Sequence, residues 1–402
     1  MGSKKFKYPY IWLFCGFAAL GACLYGYDGV YFNGVSTLDV FISHFGDCDA
    51  DGACAISPSE LSVMTSMINV GELVGSVSAA PLNDHLGRKG VFMTGTIAII
   101  IGIILQLATT SSRALMTAGR ALLGYGVGNF SATSPLYIGK DIDREAELEA
   151  QSSWSQLITD PIERRKVIYS AGALVAQQIN GIQWFYYFGT VFSKAIGLSD
   201  PFMMTLIVFI IQVFVVLAAV LCANRLPRRP LLIITTAIMT VSIFVVGCLG
   251  IPGNDVSETI GKVIISFVII EIVAFNFAWG PLGWTIASEM AVGRNRNKIY
   301  AVAVACFWIT VWVTVFTLPY LYYSANLGPK TGFVYTGLCF VTWAYVYFCV
   351  GEVTGRSMEE INGFFRDGIP ARHWKNQPRR VADGASYSIS EHDVTELEKA
   401  SG

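Results

Sequence analysis

Between Ala176 and Thr190 the sequence reads AQQINGIQWFYYFGT, three glutamines, an asparagine and two tyrosines set inside a long apolar segment. Amides facing hydrocarbon are costly, so such side chains in an apolar helix need a water-filled cavity or a partner. Gln177, Gln178 and Gln183 fall within two helical turns, and Gly181 lets a backbone or a ligand come close. Interhelical amides also serve as glue between membrane helices. The clustering of donors and acceptors beside a glycine favours a surface for a polar solute.

Two further places carry chemistry. Asp28, in LYGYDGVYFNG, is an acid inside the first apolar run, and an intramembrane carboxylate is a functional hypothesis by default. Arg120 is its natural partner, about 10 Å below the outer surface at ~1.5 Å per residue. The pair would let Asp28 exchange a proton when the bridge opens, or would simply orient helices. Downstream, FNFAWGPLGWTIASEM breaks its own helix pattern at Gly280-Pro281 and Gly283, with Trp279 and Trp284 on either side. A broken helix is tolerated where it lines a cavity, and an indole offers a sugar ring an apolar face. Glu72 and Glu271 are also intramembrane acids, without an assigned role.

Other chemistries find no support. The sequence has no phosphate-cradling loop, no metal-ligand cluster and no nucleophile arrangement, so neither an enzyme nor a cofactor is expected. The four histidines are scattered over loops and tail, and a net charge of -1 gives no footprint for nucleic acid.

Positioning these residues falls to membrane helices. The 402-residue chain is 53% hydrophobic and only 14% charged, against roughly 25% charged in an average soluble domain. At about 20 apolar residues per span, spans are expected near 10 to 36, 60 to 82, 91 to 110, 114 to 138, 167 to 192, 202 to 223, 231 to 250, 262 to 288, 299 to 322 and 331 to 350. Lys and Arg concentrate before the first span and in alternate loops, which places both termini in the cytoplasm. The N-terminal apolar run reads as a retained signal anchor. Cys48 and Cys54 share an acidic loop and can pair if it faces an oxidising compartment. The expected organisation is a four-span bundle over 1–138, a cytoplasmic connector over 139–166, a six-span bundle over 167–361 and a largely disordered cytoplasmic tail over 362–402, with Ser386, Ser388 and Ser390 as candidate phosphosites. Gly71, Gly75, Gly124 and Gly128 have small-xxx-small spacing suited to helix contact. The basic turns Asn83–Lys89 and Asn224–Arg229 occupy matching places in the two bundles, the mark of repeated halves with a site between them.

Together these motifs resemble the sugar porter family of the major facilitator superfamily, in particular the fungal and plant proton-coupled hexose transporters. The resemblance covers about residues 10 to 365. It rests on Gly26-Tyr27-Asp28, on Asp84 with Gly87-Arg88-Lys89, on QQINGIQWFYYFGT, on WGPLGW with Ser288-Glu289 and Arg294, and on Glu352 with Gly355-Arg356-Ser357 and Glu359-Glu360. It implies an all-α, two-bundle fold that transports a monosaccharide by alternating access with proton coupling, in a multi-pass plasma-membrane protein whose partners are sugar, protons and the lipid bilayer. Gln177, Gln178 and Trp284 match sugar-contacting positions. Gln183 stands where asparagine is usual, and Tyr187 matches an outer-gate tyrosine. Asp28 and Arg120 match the proton-coupling pair. Asp84, Arg88, Glu289, Arg294, Glu352 and Arg356 match a cytoplasmic salt-bridge network.

The departures are equally specific. About ten spans replace the family's twelve, because Pro135-Leu136-Tyr137-Ile138 resembles the end of the fourth helix and leads directly into the mid-chain connector. The family's fifth and sixth helices are missing. Lys140 replaces a usual glutamate, Asn224 an aspartate, Pro227 a glycine, and Phe307 and Val311 replace asparagines common in the eleventh helix. A non-transporting sugar sensor, or an inactive or mis-spliced derivative, is therefore the alternative reading.

Overall fold

The computed structural model describes residues 26, 32, 34–36, 38–48, 54–138, 153–186, 201–222, 226–251, 258–378, 380–383 and 386–389; the side chains of 84, 88, 135–138, 201–205, 258, 323, 380–383 and 386–389 are outside the description. Most of the first expected span, Asp28 included, and the first half of the connector, 139–152, therefore lie outside it, as do Tyr187 and the rest of the fifth expected span, 187–192.

A short helix α1 (Asp39–Phe45) leads into a hairpin of β1 (Asp47–Cys48) and β2 (Cys54–Ala55), in which Cys48 faces Cys54 and the two are joined by a disulfide. The second and third expected spans form one helical stretch, α2 (Pro58–Ala108), kinked where Gly87 takes a positive φ of 66°. Ser57 caps its start by accepting from the Glu60 N–H, with Pro58 in the first turn where its missing N–H is not needed. α3 (Arg113–Ile138) packs along α2 with their backbones in contact. A Cβ added at Gly71, Gly75, Gly124 or Gly128 would overlap a carbonyl of the facing helix. The glycine spacing thus serves helix contact, as its pattern predicts.

Within the stretch expected as the connector, α4 (Gln156–Thr159) turns into α5 (Pro161–Gln178), which Asp160 caps through the Ile162 N–H. α5 begins six residues before the span expected at 167, because its first turns are polar yet helical. It is followed by α6 (Pro201–Cys222), α7 (Arg228–Leu249) and α8 (Glu258–Ala274). The expected break at Gly280-Pro281 takes the form of a π-helical turn, Phe275–Trp279, from which α9 (Gly280–Met290) continues without a gap. Widening the turn accommodates Pro281, which cannot donate to the ladder. α10 (Arg296–Pro319) and α11 (Thr331–Cys349) complete the helices of span length.

Six helices among the described residues are long and apolar enough to cross a membrane, beginning at Pro58, Lys89, Arg228, Thr259, Arg296 and Gly328, and Leu206–Cys222 is a shorter apolar helix. The main core gathers α5, α7, α9, α10 and α11, with Leu174, Met239, Ile286, Val311 and Cys339 wholly buried.

One boundary moves. The chain expected to become tail at 362 instead continues as α12 (Met358–Arg366), with a Ser357–Glu360 capping box, and then a 3-10 turn at Ala371–Asn376. Hydrophobic Phe364, Phe365 and Trp374 give this polar stretch something to bury. Beyond it β3 (Arg380–Asp383) pairs with β4 (Ser386–Ile389), a strip that contains two of the serine positions, Ser386 and Ser388.

Candidate functional site

The end of α5 and the turns after it bring the three glutamines into one chain. Gln177 Nε2 donates to the carbonyls of Trp279 at 2.8 Å and Gly280 at 2.9 Å, gripping the other helix at its π-helical turn. Gln178 Nε2 donates to Gln177 Oε1 at 3.5 Å, and Gln183 Nε2 donates to Gln178 Oε1. The Gln183 Oε1 atom is buried with no hydrogen-bond partner. Gly181 adopts φ 96°, which a side chain would oppose, and turns the backbone so that Gln183 comes back beside Gln178.

Trp284 is half-buried and continues this surface. Gly283 leaves just enough room for the Gln177 side chain, which a Cβ would meet at 2.9 Å, and the Trp284 ring lies 4.7 Å from that of Phe307 on α10. Trp279 points elsewhere, since its indole N–H donates to Thr236 at 2.8 Å within the core. Of the two tryptophans, the structure leaves only Trp284 on the glutamine surface.

A second polar cluster adjoins the first and was not singled out from sequence. Asn276, in the π-helical turn, donates to Tyr186 Oη at 2.9 Å, and Tyr186 donates to Gln212 Oε1 of α6 at 3.3 Å. Gln212 Nε2 is buried without a partner. The signal was present: Gln212 is the sole amide in PFMMTLIVFIIQVFVVLAAVLC, and Asn276 interrupts an apolar run.

In the other bundle Arg120 is wholly buried. Its guanidinium lies 3.8 Å from the centre of the Phe32 ring and donates to the Thr65 carbonyl at 3.4 Å. A cation over an aromatic face is favourable when desolvated. At the start of the same helix Arg113 donates to the Phe45 carbonyl at 2.6 Å, to Asp47 at 2.7 Å and to Glu60. The Asp47 hydrogen bond raises the Arg113 pKa above the ordinary arginine value, and the charges of Asp47 and Glu60 act in the same sense.

The charges expected to form one network lie in separate groups. Glu289 pairs with Arg228, and Arg294 is exposed. Glu352 accepts from the backbone N–H groups of Arg228 and Arg229, both at 3.2 Å, so it caps the start of α7. Arg356 pairs with Glu360 at 3.3 Å and donates to the carbonyls of Trp374 at 3.2 Å, Pro378 at 3.1 Å and Gln377. The side chains of Asp84 and Arg88 lie outside the described set. A buried group that the sequence did not signal joins the connector to the loop after α9: Lys166 pairs with Glu163 at 2.6 Å, and Asn295 donates to Glu163 and Gln156, each at 3.1 Å.

Among the described residues no group of histidine, cysteine and carboxylate side chains could hold a metal ion. The site can do two things chemically: offer amides and an indole to an uncharged polar solute, and hold a buried cation in the opposite bundle.

The sequence profile described as "Sugar (and other) transporter" matches residues 14–142 and 139–365. The chain is 24% identical to the major facilitator-type transporter ecdD of Aspergillus rugulosus over 508 aligned positions, covering 97% of this chain and 94% of the relative. It is 23% identical to the low-affinity glucose transporter HXT4 of Saccharomyces cerevisiae, covering 88% of this chain and 81% of the relative. Among solved structures it resembles the inward-open xylose transporter XylE from E. coli, with a TM-score of 0.65 at 17% identity over 88% of this chain and 99% of that one. A D-xylose-proton symporter gives 0.64 at 19% identity over 87% and 100%.

Proposed function

The chain belongs to the sugar (and other) transporter family, and from that premise we propose that it carries a hexose-like monosaccharide across the plasma membrane, coupled to protons, by alternating access between its two bundles. The observation that carries this reading is the contiguous surface running from Gln183 through Gln178 and Gln177 to Gly283 and Trp284. It joins amides, which exchange hydrogen bonds with hydroxyls, to an indole, which stacks on a sugar ring. Asn276 and Gln212 extend the polar side of the surface, and Tyr187 follows it in sequence as the outer gate.

Proton coupling is assigned to Asp28 with Arg120. The support is a wholly buried arginine packed on Phe32, four residues after Asp28 in the sequence. Asp84, Arg88, Glu289, Arg294, Glu352 and Arg356 are assigned to closing the cytoplasmic side, supported by the Arg228–Glu289 pair and the Glu352 cap. The bundles are taken as 1–138 and 167–361, joined by the connector, with both termini cytoplasmic.

Uptake of labelled hexose by cells lacking their own hexose carriers tests the proposal. Uptake above the empty vector, lost in Gln178→Ala, is expected; none, with the protein shown at the surface, overturns it.

A specific observation favours a second reading. The two profile matches meet at 139–142, and the ecdD alignment runs over 508 positions against the 402 residues of this chain, so the relative has residues that this chain lacks. Loss of the family's fifth and sixth helices at that junction would open the N-terminal bundle and leave a sugar sensor or an inactive derivative. A sensor is still stabilised thermally by sugar, because a ligand that binds only the folded state raises its stability. An inactive derivative is not, and sequencing the transcript across Lys140 and Asp141 identifies a splicing origin.

A further inference from the structure

One intramembrane acid stands outside both the sugar surface and the Arg120 site. Glu271, on α8, lies inside the apolar stretch Thr259–Met290 and is wholly buried. Both of its carboxyl oxygens are buried without a hydrogen-bond partner. Two other buried glutamates, by contrast, are matched: Glu163 by Lys166 and Glu360 by Arg356.

The surrounding elements bring no cation to it. α6 and α11 contain no lysine, arginine or histidine, and the only charge on α9 is Glu289. On α7 the cations are Arg228 and Arg229 at its start, where Arg228 pairs with Glu289 and Arg229 donates to the Tyr347 carbonyl at 3.0 Å. Lys262 of α8 itself is exposed and lies about 13 Å earlier along the helix at ~1.5 Å per residue. The titratable groups that the charge of Glu271 reaches are the Tyr186 phenol and the Cys339 thiol of α11, neither of them a cation. An ionised carboxylate with neither cation nor donor is heavily penalised in such surroundings and takes up a proton instead.

Two links tie this acid to the sugar surface. Its helix runs directly into the π-helical turn Phe275–Trp279, and Gln177 holds that turn through the carbonyls of Trp279 and Gly280. Asn276, inside the turn, donates to the Ile272 carbonyl at 2.8 Å and to Tyr186 Oη at 2.9 Å, and Tyr186 is one of the two groups within reach of Glu271. Such turns are frequent at functional sites. A solute that draws on Gln177 or Tyr186 changes what holds the turn, and with it the setting of Glu271.

From this placement we propose that Glu271 is a second proton-binding site, in the bundle that carries the sugar surface. Its carboxyl holds one proton in the conformation described, having taken it from the aqueous phase on one side, and releases the same proton on the other side as the π-helical turn rearranges around the sugar. The inference rests on the reading of the chain as a proton-coupled sugar transporter and adds to Asp28 a carrier in the opposite bundle.

The test uses the purified full chain in liposomes. Wild-type uptake of labelled D-glucose is expected to rise under an inward proton gradient. Glu271→Gln, whose amide has the shape of the neutral acid, is expected to lose that rise and to flatten the pH profile of uptake, while glucose still raises its unfolding temperature. Infrared difference spectra between wild type and Glu271→Gln at neutral pH are expected to show the carbonyl band of a protonated carboxyl. Glu271→Asp is expected to keep a rise with a displaced pH profile. Equal stimulation in wild type and Glu271→Gln, or no protonated-carboxyl band, overturns the inference and leaves the transport reading standing. Wild-type uptake that ignores the gradient, or no uptake, overturns that reading and the inference with it. Should Glu271→Gln not fold, Glu271→Asp decides: a pH profile identical to that of wild type overturns the inference.

Discussion

Gln177 donates to the main-chain carbonyl of Trp279 at 2.8 Å, tying the end of α5 to the π-helical turn that precedes Pro281. The residue read as a sugar contact is thus also the clamp that fixes the indole-bearing helix beside it. Gln177→Ala removes the two hydrogen bonds to the π-helical turn and the one accepted from Gln178, and leaves Gly283 facing a void. A loss of about 1–3 kcal/mol is expected, read as a lower unfolding temperature in detergent together with weaker sugar response. Gln178→Ala, whose bonds are to other side chains, is expected to weaken the sugar response with a smaller change in stability.

The α2–α3 contact tolerates no added carbon. Gly128→Ala would drive a methyl into the Glu72 carbonyl, and Gly71→Ala into that of Ala121. Each is expected to cost about 1–3 kcal/mol, the usual penalty of overpacking. Gly337→Ala meets no atom within 4 Å and serves as the control. Equal surface expression and melting of all three variants would contradict this packing.

The turn after α12 is docked by one tryptophan and one arginine. Trp374 is wholly buried, its ring 5.4 Å from Phe364, 5.3 Å from Phe365 and 6.4 Å from Tyr169 of α5, over Gly351. Trp374→Ala is expected to cost about 3–5 kcal/mol. Gly351→Ala should reproduce part of that loss by displacing the indole, and limited proteolysis after α12 should rise in both. Unchanged proteolysis would mean that the segment is not held there.

The Cys48–Cys54 disulfide closes a loop of sequence separation 6. In the chain-entropy account a loop this short contributes about 2 kcal/mol. Reductant, or Cys48→Ser with Cys54→Ser, should lower the unfolding temperature by a few degrees, and reductant should have no effect on the double variant.

Much of this was legible in the sequence because hydrocarbon penalises polar groups so heavily that each one in an apolar run stands out. The Gln177–Gln178–Gln183 surface and the glycine contacts were found by that rule and by spacing. The same rule, applied to Gln212 and Asn276, would have found the second cluster. Other features depend on tertiary partners. Nothing local says that Trp279 turns inward to Thr236 while Trp284 does not, or that Trp374 finds a pocket of aromatic rings and so orders a segment that composition marks as tail. The pairing of Glu289 with Arg228 is equally hidden, since either basic turn could have supplied the cation.

The central claim is that a sugar crosses through this surface in a chain shorter than its relatives. Uptake of labelled D-glucose into liposomes carrying the purified full chain tests it most directly. Saturable uptake of sugar, stimulated by an inward proton gradient and abolished in Gln178→Ala, is the result expected. Sugar-induced thermal stabilisation with no uptake would contradict transport and leave a sensor.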